Sequence, residues 1–168
     1  MTSIARKFCL SLLLLMLAAC SQTGANNAGA PRPSAAMSPA AERARPLIAV
    51  HKSQYCGCCH LWVKHVEQAG FRVQVENRED LDAVKQALGV PAPLASCHTA
   101  EIAGYVIEGH VPAEDIRRLL AEKPDVRGLA VPGMPRGSPG MEMPDGRRDA
   151  YSVLAIQRDG STREFARH

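Results

Sequence analysis

Three thiols fall within four residues at Cys56-Gly57-Cys58-Cys59, and no other stretch restricts the fold as tightly. Before them, residues 47–53 form a short apolar run ending in Lys52 and Ser53, as expected of a central strand that delivers a loop. After them, Cys59, Trp62, Val63, Val66 and Gly70 recur at i, i+3, i+4 and i+7 spacing and predict an amphipathic helix. The sulfurs therefore sit at a strand-to-helix junction, with Cys56 at the cap and Cys59 turned toward the core. The first turn of a helix presents unpaired N–H groups and partial positive charge, which favour thiolate over thiol. Sulfur placed there gains both nucleophilicity and metal affinity.

The chain has 168 residues, and not all are expected to belong to the fold. Arg6 and Lys7 precede an apolar run that ends at Leu17-Ala18-Ala19-Cys20. A charged start followed by about a dozen apolar residues reads as an export signal, too short to span a bilayer. Its end resembles the lipobox of bacterial lipoproteins, which implies cleavage before Cys20, lipidation of Cys20, and attachment to membrane through lipid alone. Ser21 suits the outer-membrane leaflet. An ordinary secretory signal cleaved nearby is the alternative. The expected location is the cell envelope, on the periplasmic side and tethered to the outer membrane.

Residues 1–19 are thus read as a lipoprotein signal peptide. Residues 20–45, rich in Ala, Asn, Pro, Ser and Gly without apolar periodicity, read as a flexible tether. Residues 46–168 read as one domain with one core. Removing Arg6 and Lys7 from the 20 basic residues leaves 18 against 17 acidic ones. With no cluster of Lys and Arg to neutralise phosphates, nucleic acid is excluded as a partner.

Cys9 leaves with the signal and Cys20 becomes the anchor, so the domain keeps Cys56, Cys58, Cys59 and Cys97. Two structural disulfides are the default for an even count in an exported protein. A Cys58–Cys59 bridge, however, would join Cα atoms about 3.8 Å apart, below the usual disulfide range. Cys56 and Cys59 have the spacing of a redox motif.

Residues 71–76 alternate with period two and predict a second strand. A second helix follows, with Asp80 near its start and Leu81, Val84 and Leu88 as its apolar stripe. Residues 96–100 and 104–109 read as two strands, and Pro112 opens a third helix through Ile116, Leu119 and Leu120 to Lys123. Residues 124–150 read as a long irregular stretch carrying Met134, Met141 and Met143 among Gly and Pro. The chain closes with a hairpin turning at Asp159-Gly160, expected to extend the sheet. The expected fold is α/β, a βαβαββα core with a C-terminal loop and β-hairpin extension. Its first strand pair is expected to be parallel and its later pair antiparallel. With cysteines at the first strand-to-helix turn, this order resembles the thioredoxin and glutaredoxin architecture. That resemblance implies that the loop before the third strand aims Cys97 at the thiols.

Thiolate and thioether donors select Cu(I), whereas zinc prefers four closed Cys or His ligands. Four thiols alone leave both metals open. The methionine loop tilts the balance to copper, because Met adds little for zinc and much for Cu(I). Three thiols in four residues also suit thiolates bridging several Cu(I) ions better than one tetrahedral ion. Met134 and Met141 are candidate donors. His60 and His98 adjoin cysteines and are candidate ligands or supports, and His110 ends the fourth strand within reach. His65 reads as surface and Trp62 as core, while His51 and His168 carry no readable signal.

Four motifs in order are similar to the CopG-type family of bacterial exported proteins: Cys56-Gly57-Cys58-Cys59, Ser96-Cys97-His98-Thr99-Ala100, the residues 104–112, and the residues 131–141. That family is associated with copper resistance and has a thioredoxin-like fold. The resemblance implies Cu(I) bound by Cys56, Cys58, Cys59 and Cys97, the methionine loop as lid or donor, and copper-handling proteins of the cell envelope as partners. The leading function is sequestration or transfer of Cu(I) in copper resistance. A thiol-disulfide oxidoreductase using Cys56 as nucleophile and Cys59 as resolving thiol competes with it. A structural zinc or disulfide staple is the third reading.

Overall fold

In a computed structural model of the chain, residues 38–168 are described. Residues 1–19, read as a signal peptide, Cys20, read as a lipid anchor, and most of the stretch read as a tether lie outside the described residues. Among the described residues, no helix is long and apolar enough to cross a membrane. The last part of the stretch read as tether is structured. Pro39–Ala44 forms a short helix, α1, followed by Arg45, whose guanidinium pairs with Glu42 and donates to the carbonyls of Gly70 and Phe71. Composition alone hides this, because one arginine aimed at exposed carbonyls does the ordering.

The elements then run β1 (Leu47–Lys52), α2 (Gly57–Gln68), β2 (Arg72–Asn77), α3 (Leu81–Ala87), a 3-10 turn (Ala92–Leu94), β3 (His98–Ile102), β4 (Tyr105–Gly109), α4 (Ala113–Glu122), β5 (Gly128–Val131), β6 (Ser152–Ile156) and β7 (Thr162–Arg167). They build a mixed α/β fold around one seven-stranded sheet in the order β2-β1-β3-β4-β5-β6-β7. β1 and β2 are parallel, joined through α2, while β3 is antiparallel to both β1 and β4. The hairpin β6–β7 extends the sheet, turning at Gly160 with positive φ.

The stretch read as irregular holds a strand the sequence reading missed. Gly128–Val131 is buried at all four positions and pairs parallel with β4 and antiparallel with β6. A strand covered on both faces shows no alternation, and four residues are too few to announce it. Gly128 is required there, since a Cβ would stand 1.8 Å from the Val106 carbonyl oxygen.

Alternation along the strands divides the interior. Ile48, Val50, Ala100, Ile107, Leu129 and Val153 share one core with Trp62, Val63 and Val66 of α2 and Ile116 and Leu119 of α4. The predicted inner face of α2 is thus the observed one. Trp62 is fully buried and donates its indole N–H to the Val111 carbonyl at 2.9 Å. Gly70, at φ +96°, ends α2, and its last carbonyls are met by Arg45 and by the Arg117 side chain on Ala69. These cations sit where the helix dipole is negative, opposite the end that carries the cysteines. His65, read as surface, is half-buried, and its Nε2 accepts the Ala113 N–H at the start of α4 at 3.1 Å.

In α3 the innermost residue is Lys85, whereas Leu81, Val84 and Leu88 of the predicted stripe are only half-buried. Its ammonium donates to Glu108 Oε1 at 2.6 Å and to Thr99 Oγ1 at 2.8 Å. Glu108 is completely buried, and its carboxylate also accepts from Thr99 Oγ1 at 2.7 Å and from the Ser96 N–H at 2.5 Å. A buried charge is tolerable only when paired and fully hydrogen-bonded, and here every partner is in place.

Substituting Glu108→Gln keeps the shape and leaves the Lys85 ammonium without a counter-charge. Urea unfolding should show a loss of about 3–5 kcal/mol, largely recovered by adding Lys85→Met. An undiminished loss in the double variant would place the cost elsewhere.

Candidate metal centre

The cysteine motif lies where sequence spacing puts it, with one refinement. Helix α2 begins at Gly57, so Cys58 and Cys59 occupy its first turn and Cys56 is the N-cap. Cys56 Sγ accepts the Cys59 N–H at 3.3 Å, satisfying one of the orphan donors of the helix start. Cys56 and Cys58 are half-buried and Cys59 is fully buried.

Cys56 and Cys59 form a disulfide with Cα atoms 5.4 Å apart, and Cys58 and Cys97 are free thiols. Cys58 Sγ stands 3.4 Å from Cys56 Sγ and 3.9 Å from Cys97 Sγ, and Cys59 Sγ lies 3.6 Å from the Cys97 carbonyl oxygen. All four sulfurs lie within 4.8 Å of one another. Cys97, thirty-eight residues after Cys59, reaches them because the turn before β3 is tied down. Ser96 gives its N–H to Glu108 and its hydroxyl to the Gly133 carbonyl at 2.7 Å.

Behind Cys97 stand two imidazoles. His98 Nδ1 is 3.3 Å and His110 Nε2 3.1 Å from Cys97 Sγ, and the three donor atoms form a second group within 4.8 Å. His110 Nδ1 is 2.8 Å from the Pro139 carbonyl. A carbonyl can only accept, so Nδ1 carries the proton and Nε2 turns its lone pair to the sulfur. His98 is fully buried, with ring centroids 4.4 Å from Trp62 and 5.1 Å from His110. Burial lowers the pKa of both histidines, His98 well below the usual imidazole value with the nearby His110 adding to the effect. Neutral imidazole is the form that binds metal. Burial, reinforced by the neighbouring Cys58, pushes the Cys97 thiol up to about 12. That value describes the metal-free pocket, since a coordinated thiol is deprotonated outright.

The other sequence candidates are placed differently. His60, on the outward side of the first turn of α2, is exposed and belongs to neither donor group. Met134 is half-exposed, at 51%. Met141 and Met143 are half-buried, and Met141 follows the part of the loop closest to the cysteines. There Ser138, Pro139 and Gly140 are buried, and a Cβ on Gly140 would stand 2.7 Å from the Cys58 carbonyl oxygen and 2.8 Å from the Trp62 nitrogen. The loop is therefore packed on the backbone of the cysteine turn. His110, expected at the end of the fourth strand within reach of the site, does stand beside Cys97, although it has no spacing signal of its own.

The donor set is chemically coherent. Four sulfurs make a soft site, and two neutral imidazoles at its inner wall add borderline donors. The residues present fit a soft transition-metal ion. Four sulfurs with imidazole support are compatible with both zinc and copper.

Residues 94–141 match a family described as a protein of unknown function, DUF411. That span includes Cys97, both buried histidines and the Gly140 loop, but not the Cys56–Cys59 turn. Two solved structures are similar over most of the chain, both of a copper resistance protein copG. Form 1 is 51% identical, covering 73% of this chain and 96% of that one with a TM-score of 0.69. Form 2 is 49% identical, covering 74% and 98% with a TM-score of 0.70. No curated protein matches.

Gly140 has a φ of +84° and backbone atoms closing in on its missing Cβ. Gly140→Ala should therefore lift the loop from the cysteine turn. Maleimide labelling of Cys58 should accelerate several-fold in the variant, and an unchanged rate would mean that the loop does not shield the site.

Proposed function

The chain belongs to the copG family of copper resistance proteins, and we propose that it is an exported protein that sequesters or hands on Cu(I) through its cysteine thiolates. The observation that carries this reading is the convergence of four sulfurs within 4.8 Å at a helix N-terminus. Copper is the cargo here. In the reduced protein Cys56, Cys58, Cys59 and Cys97 supply soft thiolates, and the partial positive charge of the α2 terminus lowers the cost of holding several anionic sulfurs together. His98 and His110 back the cluster as neutral donors. Met141 adds a thioether from the covering loop, and thiolates able to bridge make more than one Cu(I) ion the natural load.

The strand order β2-β1-β3-β4, with cysteines at the end of β1 and Cys97 just before β3, supports a thioredoxin-like assignment for the core. The export signal over residues 1–19 and the lipobox at Cys20 support placement in the cell envelope, tethered by lipid, where copper-handling proteins would be its partners.

One observation favours a second reading. The Cys56–Cys59 disulfide pairs a half-buried sulfur with a buried one, the arrangement of a nucleophile and a resolving thiol. An oxidoreductase of this kind has no use for Cys58 and Cys97, which is why copper binding is preferred.

Anaerobic titration of the reduced protein with Cu(I) against a competing chelator should show tight binding of one or more ions. Failure to compete would end the copper reading. Cys58→Ser should reduce the copper number or weaken binding by roughly tenfold or more, while changing folding stability by less than ~1 kcal/mol.

Insulin reduction by the metal-free protein should be slow beside its copper binding. Rapid turnover that persists in both Cys58→Ser and Cys97→Ser would establish the oxidoreductase instead.

A further inference from the structure

The Cys56–Cys59 bridge takes two of the four sulfurs out of any metal site, because a bridged sulfur has no thiolate to give. Cys58 and Cys97 remain free, and Cys97 has His98 Nδ1 at 3.3 Å, His110 Nε2 at 3.1 Å and Cys58 Sγ at 3.9 Å. The available donors then change from four sulfurs and two nitrogens to two of each, with both nitrogens nearer to Cys97 than the second sulfur is. Ligand softness governs which ion a site prefers, and one thiolate with two imidazoles suits borderline divalent ions better than Cu(I).

We propose that closing the Cys56–Cys59 disulfide leaves a one-ion site for a borderline divalent transition metal, of which zinc is the type, held by Cys97, His98 and His110. The disulfide would thus switch the metal that the centre selects. The Cu(I) half of that switch rests on the function proposed above, whereas the divalent half stands on the oxidised structure alone.

Three features support the site. Each imidazole is already oriented: Pro139 fixes the tautomer of His110, and His98 is held against Trp62 and His110. A metal-ligating histidine is usually anchored at its distal nitrogen. His110 is so anchored, whereas His98 Nε2 is buried with no hydrogen-bond partner among the described residues, and only ring packing holds that imidazole. Tetrahedral zinc places a thiolate and an imidazole nitrogen roughly 3.6 Å apart. The observed separations need open by only a few tenths of an ångström. Three donors leave a fourth position, for which the free thiol of Cys58, its Sγ 3.9 Å from Cys97 Sγ, is a candidate.

The test uses the full chain, metal-free and oxidised until two thiols remain in the domain, titrated with Co(II) as a spectroscopic substitute for zinc. One equivalent should produce the strong visible bands of four-coordinate cobalt and a near-ultraviolet thiolate-to-cobalt transition, and zinc should displace it. His110→Ala should weaken cobalt binding by tenfold or more, and Cys97→Ser should abolish the near-ultraviolet band. Circular dichroism and Trp62 fluorescence confirm that each variant is folded. A complementary variant, Cys56→Ser with Cys59→Ser, removes the same two sulfurs without a bridge and should bind cobalt likewise. Absence of competitive cobalt and zinc binding in both the oxidised protein and this variant would overturn the proposal, as would bands unaltered by His110→Ala and Cys97→Ser. Because Cu(I) is titrated separately on the reduced protein, failure of either reading leaves the other standing.

Discussion

The carboxylate of Glu108 is the fixed point of this molecule. Sealed from water inside the sheet, it is stable only because Lys85, Thr99 and the Ser96 N–H all converge on it. One charge thereby ties α3 to β3 and β4 and sets the path of the chain just before Cys97. From Ser96 the constraint passes on, through its hydroxyl, to the Gly133 carbonyl at the root of the methionine loop. The distance between Cys97 and the cysteine turn is thus set by electrostatics in the interior rather than by the cysteines themselves. A metal centre assembled from remote segments needs such support, since a displacement of about 1 Å is enough to spoil donor geometry.

Much of this was legible in the chain. The 3.6-residue period fixed the inner face of α2 as Cys59, Trp62, Val63 and Val66, and the same period put Cys56 at the cap. Periodicity works there because a helix against a sheet has one wet side and one dry side. It failed at Gly128–Val131, where both sides are dry. It also misled at α3, where an apolar stripe suggested leucines inside but the deepest side chain is Lys85, recruited by a buried carboxylate that no pattern in the local sequence announces.

The donor set shows the same division. The four thiols could be read directly, because cysteines at close spacing have few structural uses outside bridges and metal sites. The imidazoles beside the cysteines could not be told apart. His60 and His98 each adjoin a cysteine, yet one is exposed on the outward side of a helix and the other sealed beneath Trp62. Strand geometry at His98 and helix geometry at His60 make that difference, and it exists only once the elements are placed. His110 depends on a contact with Pro139, twenty-nine residues away, which is beyond any local reading.

The sulfurs and nitrogens are graded in depth, with Cys56 and Cys58 half-open to solvent and Cys59, His98 and His110 sealed. An incoming ligand meets the outer pair first, so exchange of an ion held here must proceed by stepwise replacement from one side. The inner donors let go last. Such a centre can retain its cargo firmly at equilibrium while still passing it quickly to an acceptor that docks on the open face, separating how tightly an ion is held from how fast it is released.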